Sequence, residues 1–176
     1  MSNCLRVSKN KIVENNHPVQ LKGVNLGGWL MMEAYFMCAP NSAVREMKKD
    51  FEKRLGRTAL AEFEKKFHDN FIRREDIAQI AKMGCNCFRL PFHFQLIESA
   101  PYQYDAAGTA YLDNAIRWAK MHGLKVILDL HAAPGAQNYD WHSDSLGKAD
   151  LWISRQKQKR VFALWKFLAD RYKNEE

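Results

Sequence analysis

The run AKMGCNCFRLPFHF, residues 81–94, and its echo AKMHGLKVILDLH, residues 119–131, decide the fold. In each, a helical stripe ends at a glycine (Gly84, Gly123) and a short apolar run begins at once. Ahead of the first, Ile77, Ile80 and Ala81 share one face of a helix expected over 71–83. Ahead of the second, Leu112, Ala115, Ile116 and Ala119 do the same over 111–122. Glycine suits the left-handed residue that closes a helix. The apolar runs CNCFRLPF (85–92) and LKVILDLH (124–131) have the composition of strands covered on both faces. Helix, cap glycine, buried strand, long loop and helix again predict a parallel sheet built from βα units.

The same rhythm extends outward in both directions. Toward the N-terminus, LKGVNLGGWL (21–30) starts as a strand and ends in glycines. Residues 4–22 carry LRVSKN, KIVENN and HPVQLKG, short alternating segments with Asn-rich turns, and predict a small β-hairpin. Residues 34–70 are polar, helical in places and weakly patterned, an excursion rather than core. Toward the C-terminus, Val161, Leu164, Trp165, Leu168 and Tyr172 line one side of a helix over 156–172. Such a helix hands over to another strand, and the chain instead stops at KNEE.

Composition narrows the function classes. With 47% hydrophobic residues and 10 Phe, 6 Tyr and 5 Trp in 176 residues, disorder is excluded. No run approaches the roughly 18 apolar residues of a membrane helix, so no membrane partner is expected. The start MSNCLRVSKNK has no apolar stretch behind its charges, so no secretory signal is visible. Cys4, Cys38, Cys85 and Cys87 form no C-x-x-C, and free thiols in a cytoplasmic setting are the expectation. The net charge of +7 is scattered. Its local clusters, 48–57 and 155–160, have helical spacing and read as solvated helix faces. Without a zinc finger, an aromatic ribonucleoprotein motif or a phosphate loop, no nucleic-acid partner is expected.

In βα architectures the working groups sit at the C-terminal ends of strands and in the loops that follow. The first strand end offers Asn25, the turn Gly27-Gly28-Trp29, and Glu33 beyond it. The second offers Arg89 and His93, and the third Asp129, His131 and the loop AAPGAQNYDWHSDS (132–145). Asp129 and His131 share a strand face, so Arg89 and Asp129 can form an inward ion pair with His131 at the mouth. Asp129, one pleat below the rim, reads rather as a structural partner in a packed core. Gln137, Asn138, Tyr139, Asp140, Trp141, His142, Ser143 and Asp144 supply the paired donors, acceptors and aromatic faces that hydroxyl-rich ligands need, and equally suit an ordinary polar loop. Trp29 fits a sugar-stacking platform or a core plug. His131, His142, Asp140 and Asp144 match no metal signature, so no metal or other cofactor is expected. The G-x-S-x-G of a serine hydrolase is absent from the sequence.

Taken in order, LKGVNLGGWLMMEAYF (21–36), GCNCFRLPFHF (84–94), GLKVILDLHAAPGAQNYDWHSDS (123–145) and ALWKFLADRYKNE (163–175) resemble glycoside hydrolase family 5, in particular its exo-β-1,3-glucanase-like branch. The resemblance implies a (β/α)8 barrel with a hairpin closing its bottom. It makes residues 1–176 the N-terminal part of that domain, with 4–22 the hairpin and 21–176 the first three βα units. It also implies retaining hydrolysis of β-glucans or β-glucosides by two glutamates. One would follow the fourth strand in an Asn-Glu pair and the other the seventh, so neither is expected here. Arg89 matches the arginine that supports the nucleophile, and His131 a histidine that binds sugar. Glu33 matches the glutamate that binds sugar hydroxyls. Trp29, Asn138 and Trp141 complete the substrate-binding candidates. Glu33, Glu98, Asp129 and Asp140 are the local carboxylates, and no pair of them matches the catalytic positions. A chain of this length is short against the roughly 250 residues of such a barrel. It is therefore expected to be inactive alone. The alternative is a non-catalytic carbohydrate-binding half-barrel that self-associates or pairs with a complementing chain through its open sheet.

Overall fold

Gly84 and Gly123 close their helices at φ of +81° and +65°, with open space where a Cβ would stand. The demand there is for the left-handed backbone alone, which glycine meets without strain. Around these two caps a computed structural model describes residues 5–175. Cys4, at the start of the expected hairpin, lies outside the described residues.

Three short strands come first: β1 (Arg6–Ser8), β2 (Lys11–Glu14) and β3 (His17–Pro18). They form an antiparallel meander in the order β1-β2-β3, one strand more than a hairpin. Then follow β4 (Gly23–Asn25), a 3-10 turn over Ala34–Met37, and the helices α1 (Val44–Leu55), α2 (Arg57–Phe71) and α3 (Arg74–Lys82). The second parallel strand, β5 (Cys87–His93), leads into the short helix α4 (Phe94–Ile97) and the two-stranded β6 (Glu98–Ala100) and β7 (Gln103–Tyr104). Helix α5 (Ala106–Met121), β8 (Lys125–Ala132), a 3-10 turn at Trp141–Ser143 and α6 (Arg155–Tyr172) complete the chain.

The central sheet runs β4-β5-β8, all parallel and in sequence order, as in the wall of a barrel. Alternation divides it into two faces. Phe88, Leu90 and Phe92 point outward onto Ile77 and Ile80 of α3, Leu112, Ala115 and Ala119 of α5, and Leu164 and Leu168 of α6. Val126, Leu128 and Leu130 join the same core. The odd-numbered residues face the other way, where Ile127 is 44% exposed. The sheet is open, and its inner face is uncovered among the described residues. At the N-terminal end of β8, Lys125 pairs with Glu14 of the meander at 2.5 Å, which seats the meander under the sheet.

The excursion is more regular than its sequence promised. α1 and α2 form a helical pair carrying a ladder of rings, Phe51, Phe63, Phe67 and Phe71, with successive centroids 5.0, 5.8 and 4.7 Å apart. It buries a small second core of Met31, Met32, Val44 and Ala132. That core lies at the C-terminal end of β8, so the excursion shields one flank of the strand ends. Both basic clusters lie on helices as expected, with Lys48 paired to Glu64 and Arg160 to Glu98. No helix among the described residues is long and apolar enough to cross a membrane.

Candidate functional site

The register of the sheet builds the first half of the site. Asn25 pairs with Arg89, and Pro91 with Asp129, so Arg89 starts one pleat below Asp129 and its long side chain climbs. Its guanidinium donates to Asn25 Oδ1 at 2.9 Å and to Asp129 Oδ2 at 2.7 Å. His131 Nδ1 lies 2.9 Å from the same Asp129 oxygen and 3.1 Å from Arg89 Nη2. The side chains of Arg89, Asp129 and His131 are 39%, 25% and 24% exposed. Asp129 is thus no strut in a packed core: it belongs to a half-open cluster on the inner face.

The second half comes from the loop after β4. Glu33 is buried, and its Oε2 accepts from the backbone N–H of Gly28 at 3.1 Å. Its Oε1 lies 3.2 Å from His142 Nδ1, across from the loop after β8. Beside it, burial and then the charge of Glu33 push the Tyr35 phenol upward. Trp141 packs at a tilt against His142, centroids 3.6 Å apart, and meets Tyr35 edge-on at 5.9 Å. Glu33, His131 and His142 each bring a ligand atom to within 4.8 Å of the others, which fuses the two halves.

A buried anchor holds the 132–145 loop in this position. Asp144 sits at φ +55° and accepts from the Arg45 backbone N–H at 2.8 Å and from its Nε at 3.0 Å. His93 Nδ1 accepts from the Gln95 backbone, so Nε2 carries the proton and donates to Asp144 Oδ2 at 3.0 Å. Burial pushes the His93 imidazole downward, against the pull of Asp144. Burial alone would raise Asp144, but the bonds from His93 and the Arg45 backbone hold it below the usual range. Gln137 braces the near end of the loop, donating to His131 O at 2.5 Å and accepting from Ala133 N at 3.2 Å.

Among the expected site residues, the structure brings together Arg89, His131 and Glu33, with Trp141 beside them. Asn138 is exposed in the same loop, and its Oδ1 accepts from Asp140 N and Ser143 Oγ. Trp29 is a correction. It is fully buried, donates its Nε1 to His68 O at 2.8 Å and stacks on Trp118, so no ligand reaches it. The Gly-Gly turn aims it inward, and it is a core plug. His142 and Tyr35 were missed as partners of Glu33; the only signal for Tyr35 was an aromatic residue two positions after Glu33. Of the spare carboxylates, Glu98 is sealed against Arg160 at 2.7 Å and Asp140 caps the 3-10 turn through His142 N. The dipeptide Asn174-Glu175 stands beyond α6, with Glu175 bonded to Lys120 near the end of α5, at the opposite end of the strands from the site.

A parallel βα wall with a charged, aromatic-flanked cluster at its strand ends has the layout of a barrel enzyme's substrate face. A family model, cellulase (glycosyl hydrolase family 5), matches residues 44–176. The chain belongs to that family. It is 36% identical over 174 residues to a beta-xylosidase of Phanerodontia chrysosporium, covering 97% of this chain and 36% of the relative. It is 35% identical over 158 residues to a probable glucan 1,3-beta-glucosidase A of Aspergillus fumigatus, covering 86% of this chain and 37% of that one. The fold matches the crystal structure of rutinosidase from Aspergillus niger at a TM-score of 0.74 and 20% identity, over 87% of this chain and 44% of that structure. The chain therefore spans little more than a third of the curated relatives it matches. Its parallel βα units form an open, partial α/β barrel.

Proposed function

We propose that these residues form the sugar-gripping half of a retaining β-glycosidase site acting on β-glucans or β-glucosides. The observation that carries this reading is the single patch in which Arg89, Asp129 and His131 meet Glu33 and His142. In this reading Glu33 and His131 bind hydroxyls of one sugar ring, Trp141 covers its apolar face, and Asn138 lines the approach. Arg89, steadied by Asn25 and Asp129, holds its positive charge where a nucleophilic carboxylate would need support. Retaining hydrolysis requires two carboxyl groups about 5–5.5 Å apart, one attacking the anomeric carbon and one protonating the leaving oxygen. The family places them after the fourth and seventh strands, and the described residues form three parallel strands. The 176-residue chain is therefore expected to bind sugar without cleaving it.

Titration of a β-linked glucose disaccharide into the isotope-labelled chain tests this. Shifts should centre on His131, Glu33 and Trp141 and vanish in His131→Ala, while an aryl β-glucoside stays intact. Shifts confined to another face, or turnover abolished by Glu33→Ala, would overturn it.

The half-open inner face favours a second reading, a carbohydrate-binding half-barrel that pairs with a second copy or a complementing chain. Ile127, exposed between Lys125 and Asp129, is the apolar residue such a partner would cover.

A further inference from the structure

Beyond the end of β5, a cavity of about 340 Å³ opens between the α1–α2 pair and the α4–α5 segment. Leu30, Met32, Val44 and Leu96 supply its apolar lining, and His68 and Tyr111 bring aromatic rings to it. None of the residues assigned to the sugar-gripping cluster lines it. We propose that this cavity is a second binding site, which takes a neutral, planar one-ring molecule of the phenol class. The inference goes beyond the glycosidase reading and does not depend on it.

Size and shape suit a single ring. An apolar cavity of about 150 Å³ already holds benzene, and pockets for small organic ligands begin at about 300 Å³. The rings of His68 and Tyr111 lie 5.2 Å apart at 57° to each other, so a planar guest meets one by its face and the other by its edge.

Charge selects a neutral guest. Lys48 is paired with Glu64, and Lys65 with Asp69, each at 2.5 Å. Asp105 caps α5 by accepting from Ala107 N. Lys48 and Lys65 on the cavity wall thus stand against Glu64 and Asp105. An ionised guest would lose its hydration without gaining a free counter-charge.

His68 supplies the hydrogen bond. The Tyr111 hydroxyl is already committed to Asp69 Oδ1 at 2.8 Å, and both His93 nitrogens are engaged, with Gln95 N and Asp144. The His68 carbonyl takes the Trp29 indole N–H, but neither nitrogen of its ring has a hydrogen-bond partner among the described residues. Burial pushes that imidazole downward, so at pH 7 it is neutral and offers one N–H and one lone pair. A phenolic hydroxyl, which both donates and accepts, matches either nitrogen.

Titration of the isotope-labelled chain with phenol, toluene and benzoate, followed by magnetic resonance, tests the site. Phenol should shift His68, Tyr111 and Leu96 and bind about fivefold more tightly than toluene, the worth of one net hydrogen bond. Benzoate should leave those residues unmoved at the same concentrations. His68→Leu should bring phenol down to the affinity of toluene and leave toluene unchanged. Ala107→Phe, at an exposed helix position on the cavity wall, should exclude both. Should His68→Leu melt early, Ala107→Phe decides alone. Phenol shifts centred on Glu33, His131 and Trp141 would overturn the proposal. So would benzoate binding as tightly as phenol, phenol binding unchanged in Ala107→Phe, or no saturable shift below about 10 mM phenol. A sugar titration that fails while phenol binds would count against the glycosidase reading alone.

Discussion

His93 shows how one residue ties the sheet to the loop that completes the site. Held neutral by burial, with Nε2 donating to Asp144, it could take a second proton only at Nδ1, at the expense of the bond from Gln95 N. Its folded pKa lies below the ordinary value of 6.5, and half-buried His68 is shifted the same way, by desolvation first. As pH falls below 6.5 the unfolded chain gains protons that the folded chain refuses, so stability is lost toward acid. Each histidine adds a slope of up to about 1.4 kcal/mol per pH unit in that window. Asp144, depressed when folded, adds its own loss only below its unfolded value of 3.8. Thermal melts from pH 7 to 5 should show a falling midpoint, and a His68→Gln, His93→Gln pair should flatten that slope. An unchanged slope in the pair would assign the acid sensitivity to other groups. At this scale Arg89, Glu33 and His131 were legible, because their places after glycines and strand ends are written in the chain. The inward turn of Trp29 was not, since a Gly-Gly turn permits either direction.

Helix α5 shows what periodicity sees and what it misses. Its apolar stripe marked 111–122, while the helix begins at Ala106, with Asp105 capping it by accepting from Ala107 N. The first turn carries small residues for a packing reason. A Cβ at Gly108 would fall 1.5 Å from Leu96 O, so α5 crosses α4 in near backbone contact. Gly108→Ala should therefore cost about 3 kcal/mol or more by forcing the two helices apart. Gly84→Ala meets no atom within 4 Å and should cost only the left-handed penalty, about 1 kcal/mol. Denaturant midpoints of the two variants check the ranking, and equal losses would refute the close-crossing argument. The paired helices α1 and α2 escaped notice for a related reason. Phe63, Phe67 and Phe71 stack mainly on one another, and α2 buries no residue fully against the sheet.

Over the whole molecule, the described residues cover one face of the sheet and leave the other open. The helix-facing side is sealed by α3, α5 and α6, while the inner side presents Ile127 among half-exposed charges. Exposed strand edges and an uncovered apolar position favour pairing with another sheet surface. Sedimentation of the 176-residue chain should show concentration-dependent association that Ile127→Lys weakens; a monomer at every concentration would rule out the half-barrel pairing. The sequence by itself determined the parallel βα wall, the family and most of the strand-end residues. Helical stripes, cap glycines and motif order are local properties, set by backbone conformation and hydrophobic period. Only the tertiary structure decided that Glu33, His131 and His142 converge, that Asp144 anchors a loop rather than lining it, and that Trp29 points inward. Those outcomes depend on sheet register and on which loop packs against which, and no local pattern records them.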